Sequence, residues 1–327
     1  MKSLNRKVSV APMMDYTDRH CRFIHRLFSP HALLYTEMIV AAAIVRGEAS
    51  RLLAFDEAEH PVALQLGGSD PGELAAAARL GAAAGYDEIN LNVGCPSDRV
   101  KNGSFGACLM LNPRLVAQCA AAMIDAVLVP VTVKCRIGID ARDDFDFFAE
   151  FIDVVAAAGV ASFSVHARSA ILKGLSPKEN REIPPLKYDY VHRIKRERPD
   201  LEFVLNGGIQ DCDSAERELA RGLDGVMLGR AACNRPSLLG ELEARLIDDR
   251  WRTPSPVQII EQVVPYARRQ IAAGARLHSI SRHLHGLLAG VNGARAWRRY
   301  LSDVAAKPDA TADTLYGVSS ILGQAAA

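Results

Sequence analysis

Cys95 is the residue of this chain whose type and position point most clearly to chemistry. It lies between Gly94 and Pro96, directly after the β-rich apolar run of residues 88–93, so we expect its thiol on a loop at a strand end. An ordinary thiol has a pKa near 8.5 and is mostly protonated at neutral pH. Cys95 is therefore a candidate general acid as well as a candidate nucleophile, although a single cysteine is more often a small buried hydrophobe.

Two glycine-containing strings later in the chain are suited to binding a phosphate group. Asn206-Gly207-Gly208 and Gly229-Arg230 follow two successive β-rich runs. Glycines at such strand ends allow backbone N–H groups to approach a phosphate, and Arg230 adds a positive charge. Asn-Gly-Gly alone is typical of a simple turn, but the two strings together, one unit apart, predict a site for a phosphate-containing cofactor.

Lys134 and His166 also belong to predicted strands. If side chains alternate along residues 131–137, Lys134 points inward, where an ammonium group needs an anionic partner such as a phosphate or a reduced isoalloxazine. The alternative is a lysine whose ammonium group reaches solvent. His166 ends its strand two residues before Arg168, which favours a ligand contact over a satisfied core histidine.

These residues need a fold that brings strand ends together. Eight short β-rich runs alternate with segments of helical spacing, and this pattern predicts a (β/α)8 barrel rather than an open doubly wound sheet. The predicted strands are residues 8–13, 33–38, 62–66, 88–93, 131–137, 161–166, 203–206 and 225–228. The helical candidates include residues 71–85, 113–126, 145–158, 188–198 and 213–221. In such a barrel the active site lies at the carboxyl ends of the strands.

The β pattern stops after Arg250, and the string Thr253-Pro254-Ser255-Pro256 has the composition of a linker. We therefore predict a catalytic barrel over residues 1–250 and a smaller all-helical domain over residues 251–327. Residues 262–302 contain seven arginines, three histidines and no acidic residue. A charge run is more often the solvated face of a helical cap, but the lack of acids favours a surface for a phosphate backbone.

The composition is that of an ordinary globular protein. The chain has 327 residues, 49% hydrophobic and 24% charged, which excludes a disordered or fibrous protein. Its longest uncharged apolar run, residues 38–45, is far shorter than the roughly 20 residues that cross a bilayer. The N-terminus lacks an apolar leader segment, so we expect a cytoplasmic protein without a membrane partner, which we take to be a monomer.

The seven cysteines are odd in number and include no Cys-x-x-Cys pair. This spacing argues against a disulfide framework and against a zinc site, so we expect no metal. Most of the cysteines, including Cys108 and Cys119, are expected to be reduced core thiols.

Several strings resemble those of the tRNA-dihydrouridine synthases. They are APMMDYTDR at residues 11–19, LQLGG at residues 64–68 and NLNVGCPS at residues 90–97. SPKENREIPPL at residues 176–186 and GARAWRRYL at residues 293–301 resemble the A-type branch of that family. The similarity covers nearly the whole chain, and it implies the barrel fold that the β-α pattern predicts.

The resemblance implies an oxidoreductase that reduces the C5=C6 bond of uridine in tRNA, at positions 20 and 20a of the D-loop. It implies tightly bound FMN, re-reduced by NADPH, with a hydride delivered to C6 and a proton from Cys95 to C5. The FMN ring contacts that it implies come from Pro12, Met13, Met14, Gln65, Lys134 and His166. The implied phosphate contacts come from Asn206, Gly207, Gly208, Gly229 and Arg230.

The resemblance also implies how tRNA is held. The target base must leave the stack to reach a flavin in the barrel mouth, and Asn92 is placed to hydrogen-bond it. The A-type strings imply tRNA contacts from Lys178, Arg181, Arg295 and Arg298. Phosphate contacts of this kind orient a nucleic acid, while a few base contacts select the site.

Two other functions share parts of this pattern. A flavin barrel acting on a small molecule would have the same cofactor residues, but it would not require the basic helical region or the loop with Lys178 and Arg181. A non-catalytic RNA-binding protein with a barrel scaffold would not require Cys95 or Lys134. Salt-sensitive tRNA binding would separate the first alternative from a tRNA-modifying enzyme.

Overall fold

The computed structural model describes residues 4–97 and 105–326, and eight parallel strands in it form a closed barrel. A two-residue strand, β3, lies beside β4, and the ring closes because β1 pairs with both β2 and β9 while β2 also pairs with β4. The strands are β1 Val8–Val10, β2 Leu33–Tyr35, β3 Ile39–Val40, β4 Val62–Gly67, β5 Glu88–Val93, β6 Val131–Arg136, β7 Ser162–His166, β8 Glu202–Asn206 and β9 Gly225–Leu228. This confirms the predicted (β/α)8 barrel. Residues 1–3, part of the N-terminus predicted to lack an apolar leader, lie outside the described residues.

Two predicted strands are shorter than expected. The chain leaves the barrel after β1 because the carbonyl of Met13 accepts N–H bonds from Tyr16 and Thr17, at 3.1 and 3.0 Å, which closes a tight turn. The second run divides into β2 and the short β3. Apolar residues that continue a strand pattern can therefore lie in a turn at the barrel mouth.

Helices surround the barrel, and most of the longer ones start at an acidic or amide residue that caps them. The side chains of Asp18, Asp70, Asn112, Asp144 and Asp211 accept N–H bonds from the first turns that follow them. The main helices of the barrel are Arg19–Phe28, Ala41–Arg46, Pro71–Ala83, Pro113–Ile124, Phe145–Ala156, Tyr188–Glu197 and Cys212–Ala220, followed by the short Arg230–Asn234 and Ser237–Leu242. Such caps satisfy N–H groups that a helix start leaves unpaired.

The barrel interior has an apolar layer and a buried ion pair beneath it. The apolar layer consists of Ala11, Leu33, Tyr35, Ala63, Val204 and Met227. Glu88, at the start of β5, is fully buried and lies 2.7 Å from the guanidinium group of Arg6. Arg6 also bonds Glu202 at 2.9 Å, at the start of β8. The amino ends of the strands are thus closed by charge pairing, and the carboxyl ends remain for chemistry.

From Pro256 onward the chain is helical, as predicted. The helices are Pro256–Ala272, Leu277–Ser281, Ala294–Tyr300 and Gly317–Ala326, with short 3-10 and π segments between them. Within residues 4–97 and 105–326, no helix combines the length and apolar character needed to cross a membrane.

The helical part packs against the first helix of the barrel. Tyr266 stacks on Phe23 with ring centroids 3.8 Å apart, and its hydroxyl lies 2.6 Å from Nδ1 of His20. The indole N–H of Trp251 donates to the carbonyl of Phe28 at 3.0 Å. The predicted division into residues 1–250 and 251–327 stays a prediction, and this aromatic contact provides a way to test it.

Replacing Tyr266 by alanine removes a buried ring and the partner of His20. We expect Tyr266→Ala to lower the free energy of unfolding by about 3–5 kcal/mol, measured by urea denaturation. Tyr316→Ala is the matched control, because that ring is 43% exposed, and it should change little. A single shifted transition would mean that both parts unfold together. Two transitions, with the barrel transition unmoved, would support independent domains.

Candidate active site

The barrel brings the predicted strand-end residues to one mouth. Gln65, Asn92, Lys134, His166 and Asn206 lie at or near the ends of five successive long strands, β4 to β8. The register pairs Asn92 with Lys134 and His166 with Asn206 on adjacent strands. Residues paired across adjacent parallel strands lie side by side, so Asn92 adjoins Lys134 and His166 adjoins Asn206 near the carboxyl ends of the strands.

Cys95 lies on a loop directly after β5, as predicted. The side-chain carbonyl of Asn92 accepts the backbone N–H bonds of Gly94 at 3.1 Å and Cys95 at 3.0 Å. The carbonyl of Cys95 accepts an N–H bond from Ala107 at 2.9 Å. The thiol is half-buried, and its Sγ is 3.4 Å from Oγ of Ser97. Asn92 therefore holds the thiol-bearing loop, while its NH₂ group keeps one hydrogen for a further bond.

A chain of side-chain hydrogen bonds runs down from Asn92 through the barrel. Asn92 donates to Gln65, and Gln65 donates to Asn90, each at 2.8 Å. Asn90 donates to the hydroxyl of Thr132 at 2.8 Å, and that hydroxyl donates to Glu88 at 2.6 Å.

Both ends of this chain require the same direction of donation. At the top, the oxygen of Asn92 must face two backbone N–H groups, so its NH₂ group faces Gln65. At the bottom, the carboxylate of Glu88 only accepts, so the hydroxyl of Thr132 must donate to it. The orientations of the amides between them follow, and Gln65 and Asn92 each keep one N–H to offer a ligand at the mouth.

Lys134 points into the barrel mouth, as the strand alternation predicts. Its ammonium group donates to Oδ1 of Asn206 at 3.0 Å, and the NH₂ group of Asn206 donates to the carbonyl of Met227 at 2.8 Å. Within the described part of the chain, no carboxylate pairs with Lys134. Burial, and to a smaller extent the charge of Arg136, lowers the pKa of Lys134 to about 8. An anionic ligand beside this amine would offset that cost and keep it protonated.

Arg136 is a buried cation to which the sequence patterns assigned no role. Its guanidinium group donates to the carbonyls of Gly94 at 2.9 Å, Ser169 at 3.0 Å and Asn180 at 3.1 Å. Burial lowers its pKa to about 10. It thus connects the loop of Cys95 with the segment that contains Lys178 and Arg181. Its position two residues after Lys134 was the available signal.

The glycine pair after β8 forms a cradle that side chains would block. Gly207 and Gly208 have φ angles of +106° and +78°, in the region that favours glycine. A Cβ at Gly207 would lie 2.8 Å from Cδ2 of His166, and a Cβ at Gly208 would lie 2.5 Å from the hydroxyl of Tyr188. Burial, together with the charge of Arg136, holds the pKa of His166 well below its ordinary value, so its ring is neutral at pH 7.

Two arginines border this cradle. Arg230 pairs with Glu182 at 2.5 Å, and the side chains of both are partly exposed. Arg168 donates through Nη1 to the carbonyls of Glu182, at 3.2 Å, and Pro184. Its Nε is buried and has no hydrogen-bond partner among residues 4–97 and 105–326. An unpaired buried N–H beside a glycine cradle is the feature that an anionic group would satisfy, yet sequence reasoning treated Arg168 only as a neighbour of His166.

Pro12, Met13 and Met14 lie in the turn that follows β1. Met13 is half-buried against the apolar interior, and Met14 is 51% exposed. The tip of this turn, Asp15, has a φ of 66°, and its N–H donates to Glu37 at 2.5 Å. Glu37 thus fixes the turn against the next strand end, a role that the sequence alone did not indicate.

The four predicted tRNA contacts are exposed side chains on two separate segments. Lys178 and Arg181 follow β7, and Arg295 and Arg298 lie on the helix Ala294–Tyr300. Within the described residues, none of these four side chains has a hydrogen bond or an ion pair.

The acid-free stretch is partly neutralised by acids from outside it, which corrects the inference from its composition. Four of its arginines are paired: Arg268 with Asp313, Arg269 with Asp56, Arg282 with Asp18 and Arg299 with Asp303. The basic surface is therefore smaller than seven arginines suggest.

Sequence comparison identifies a protein family for this barrel, with its thiol on the loop after β5 and its cationic mouth. The family model for dihydrouridine synthase (Dus) matches residues 9–320. The chain belongs to this family.

Individual relatives are similar over almost their whole length. A tRNA-dihydrouridine(20/20a) synthase from Xanthomonas campestris pv. campestris is 55% identical over 304 residues, which cover 93% of this chain and 90% of that protein. Proteins of the same name from Shewanella oneidensis and Pseudomonas putida are 53% and 54% identical over 306 and 298 residues. These alignments cover 94% and 91% of this chain, and 91% and 88% of the respective relatives. The resemblance found in the sequence motifs is thus confirmed at the level of the family.

The hydrogen-bond chain below Asn92 can be tested at Thr132. Thr132→Val keeps the shape of the side chain but removes one buried hydrogen bond from Asn90 and one from Glu88. We expect the free energy of unfolding to fall by about 1–3 kcal/mol, measured by urea denaturation. Thr132→Ser keeps the hydroxyl group and should retain most of the stability. Equal stability of the valine and serine variants would contradict the role of this hydrogen bond.

Proposed function

We propose that this protein reduces the C5=C6 bond of uridines 20 and 20a in the D-loop of tRNA to 5,6-dihydrouridine. The observation that carries the proposal is the Cys95 thiol, held by Asn92 at the rim of a cationic barrel mouth, in a member of the dihydrouridine synthase family. The relatives' name, tRNA-dihydrouridine(20/20a) synthase, supports the substrate and the positions. We further propose that it acts as a cytoplasmic monomer.

We propose FMN as the bound cofactor and NADPH as its reductant. The mouth fits such a group, because it combines a glycine cradle at Gly207 and Gly208, an unpaired buried N–H of Arg168 and an ammonium group of Lys134 without a carboxylate partner in the described residues. Arg230 and the backbone of Gly229 would complete the phosphate side. When bound and reduced, FMN supplies a hydride to C6 of the uracil.

The residues of the chain then have distinct tasks. Cys95 donates the proton that C5 requires. Its thiol is half-buried, and three hydrogen bonds to backbone groups of its loop hold it in one position. Lys134, with a pKa of about 8, is mostly protonated at pH 7 and stabilises negative charge at the mouth. The neutral ring of His166 offers a hydrogen bond without adding charge. Gln65 and Asn92 present N–H donors to the cofactor and to the base.

Recognition of tRNA is proposed to use the unpaired cations. Lys178 and Arg181 on one side of the mouth and Arg295 and Arg298 on the helical part would contact phosphates and orient the D-loop. Moving the uridine out of its stack costs a few kcal/mol, which these contacts must offset.

The proposed chemistry is tested by following flavin absorbance in one anaerobic sample. NADPH should bleach the bands, and unmodified tRNA should restore them. In Cys95→Ala we expect flavin content and bleaching to be unchanged, while reoxidation by tRNA slows by roughly 10²–10⁴-fold, because the general acid is missing. Cys119→Ala removes a fully buried thiol on the helix Pro113–Ile124 and serves as the matched control.

Three results would contradict this proposal. Normal turnover of Cys95→Ala would exclude the acid role of that thiol. Bands that bleach but do not respond to tRNA would favour reduction of a small molecule. A protein that holds no flavin after reconstitution with FMN would remove the flavoenzyme assignment.

The tRNA contacts are tested through salt dependence. Replacing Arg295 and Arg298 by alanine should weaken tRNA binding and reduce the slope of log K against log salt by about one for each phosphate that is no longer neutralised. NADPH-driven bleaching of the flavin should not change. Arg79→Ala, on an exposed face of the helix Pro71–Ala83, is the control and should leave the slope unchanged. An unaltered slope in the double variant would place the tRNA on another surface.

A further inference from the structure

Three soft metal-binding side chains meet outside the barrel mouth. Cys21, His25 and Cys233 each offer one ligand atom, and these three atoms lie within 4.8 Å of one another. The Sγ atom of Cys21 is 3.6 Å from Nε2 of His25. Cys21 and His25 are 1% and 2% exposed, and Cys233 is partly exposed. None of the three has a task in the proposed reaction.

The fold explains how these residues come together although the sequence shows no ligand motif. Cys21 and His25 are four residues apart on the helix Arg19–Phe28, so they share one face of it. Cys233 lies on the helix Arg230–Asn234, which follows β9. Because β1 and β9 pair, the helices that follow them are neighbours. Barrel closure thus places a cysteine from the last unit against a Cys-His pair from the first.

The ligand set and its spacing fit a zinc ion. Zn–S bonds of about 2.3 Å and Zn–N bonds of about 2.0–2.1 Å, at tetrahedral angles, separate sulfur from nitrogen by roughly 3.6 Å. The distance of 3.6 Å between Sγ of Cys21 and Nε2 of His25 matches this value. Thiolate and imidazole ligands select zinc over magnesium or calcium, which prefer oxygen. We propose that Cys21, His25 and Cys233 bind one Zn²⁺ ion, with water as the fourth ligand on the partly exposed side of Cys233.

A zinc ion at this position would join the first and last β/α units of the barrel. The helix that contains Cys233 begins at Arg230, directly after the strand-end Gly229. The helix that contains Cys21 and His25 is capped by Asp18, whose carboxylate also bonds Arg282 at 2.6 Å and His283 at 3.0 Å. The ion would therefore stabilise the region where the last β/α unit meets the first, next to the contact of the first unit with the helical part. Its proposed effect is on stability and is independent of the proposed reaction.

Zinc binding can be measured directly on the purified full-length protein. After removal of metal by a chelator in the presence of a thiol-free reductant, Zn²⁺ alone is titrated in competition with a chromophoric chelator. We expect one equivalent to bind and the thermal midpoint to rise. Cys21→Ser and Cys233→Ser should each weaken binding by about 100-fold or more, because a thiolate ligand is lost. Cys119→Ser, another buried thiol, should bind zinc as the natural chain does.

The same measurements can overturn the proposal. Binding of equal stoichiometry and affinity in the two serine variants would place zinc elsewhere, and no binding at about 10 µM zinc would exclude the proposed site. If Cys21→Ser fails to fold, as judged by circular dichroism, Cys233→Ser and His25→Gln provide the same comparison, because Cys233 is partly exposed.

Discussion

The fully buried carboxylate of Glu88 is the constraint on which the polar interior of the barrel depends. A buried carboxylate is tolerated only when it is paired and hydrogen-bonded, and here Arg6, Tyr35 and Thr132 supply those partners. Because the carboxylate only accepts, it sets the direction of every hydrogen bond above it, up to Asn92. The orientation of the groups at the mouth is thereby fixed by a charge near the opposite end of the strands.

The ligand preference of the barrel mouth depends on positive charges that no carboxylate of the described residues compensates. Formal net charge is only +1, yet the half-buried Lys134 and the buried Arg136 have no carboxylate partner in the described residues, and both have lowered pKa values. Such an arrangement costs stability in the ligand-free protein, and an anionic ligand removes part of that cost. This is a physical reason to expect a cofactor with phosphate and a polyanionic substrate at the same end of the barrel.

Much of the fold could be predicted from the sequence, because eight β-rich runs alternate with helical segments and bury continuous apolar strands. Strand ends could be predicted less well, since Met13 continues an apolar pattern but lies in a turn. The inward lysine at position 134 followed from alternation, whereas Arg136 and Arg168 act through backbone carbonyls and a buried N–H that have no sequence pattern. The proximity of Cys21 and Cys233 could not be predicted either, because only the closure of the barrel brings residues so distant in sequence together.

Arg136 brings the two halves of the proposed function into one structural unit. Its guanidinium group is bonded at once to Gly94, next to the thiol, and to Asn180, between the two cations Lys178 and Arg181. Movement of either segment must stretch the hydrogen bonds of a cation that is only 3% exposed, where water has little access to replace them. The position of the proposed proton donor is therefore coupled to the segment proposed to contact tRNA, so that a correctly placed substrate and a correctly placed thiol favour the same arrangement of these two segments.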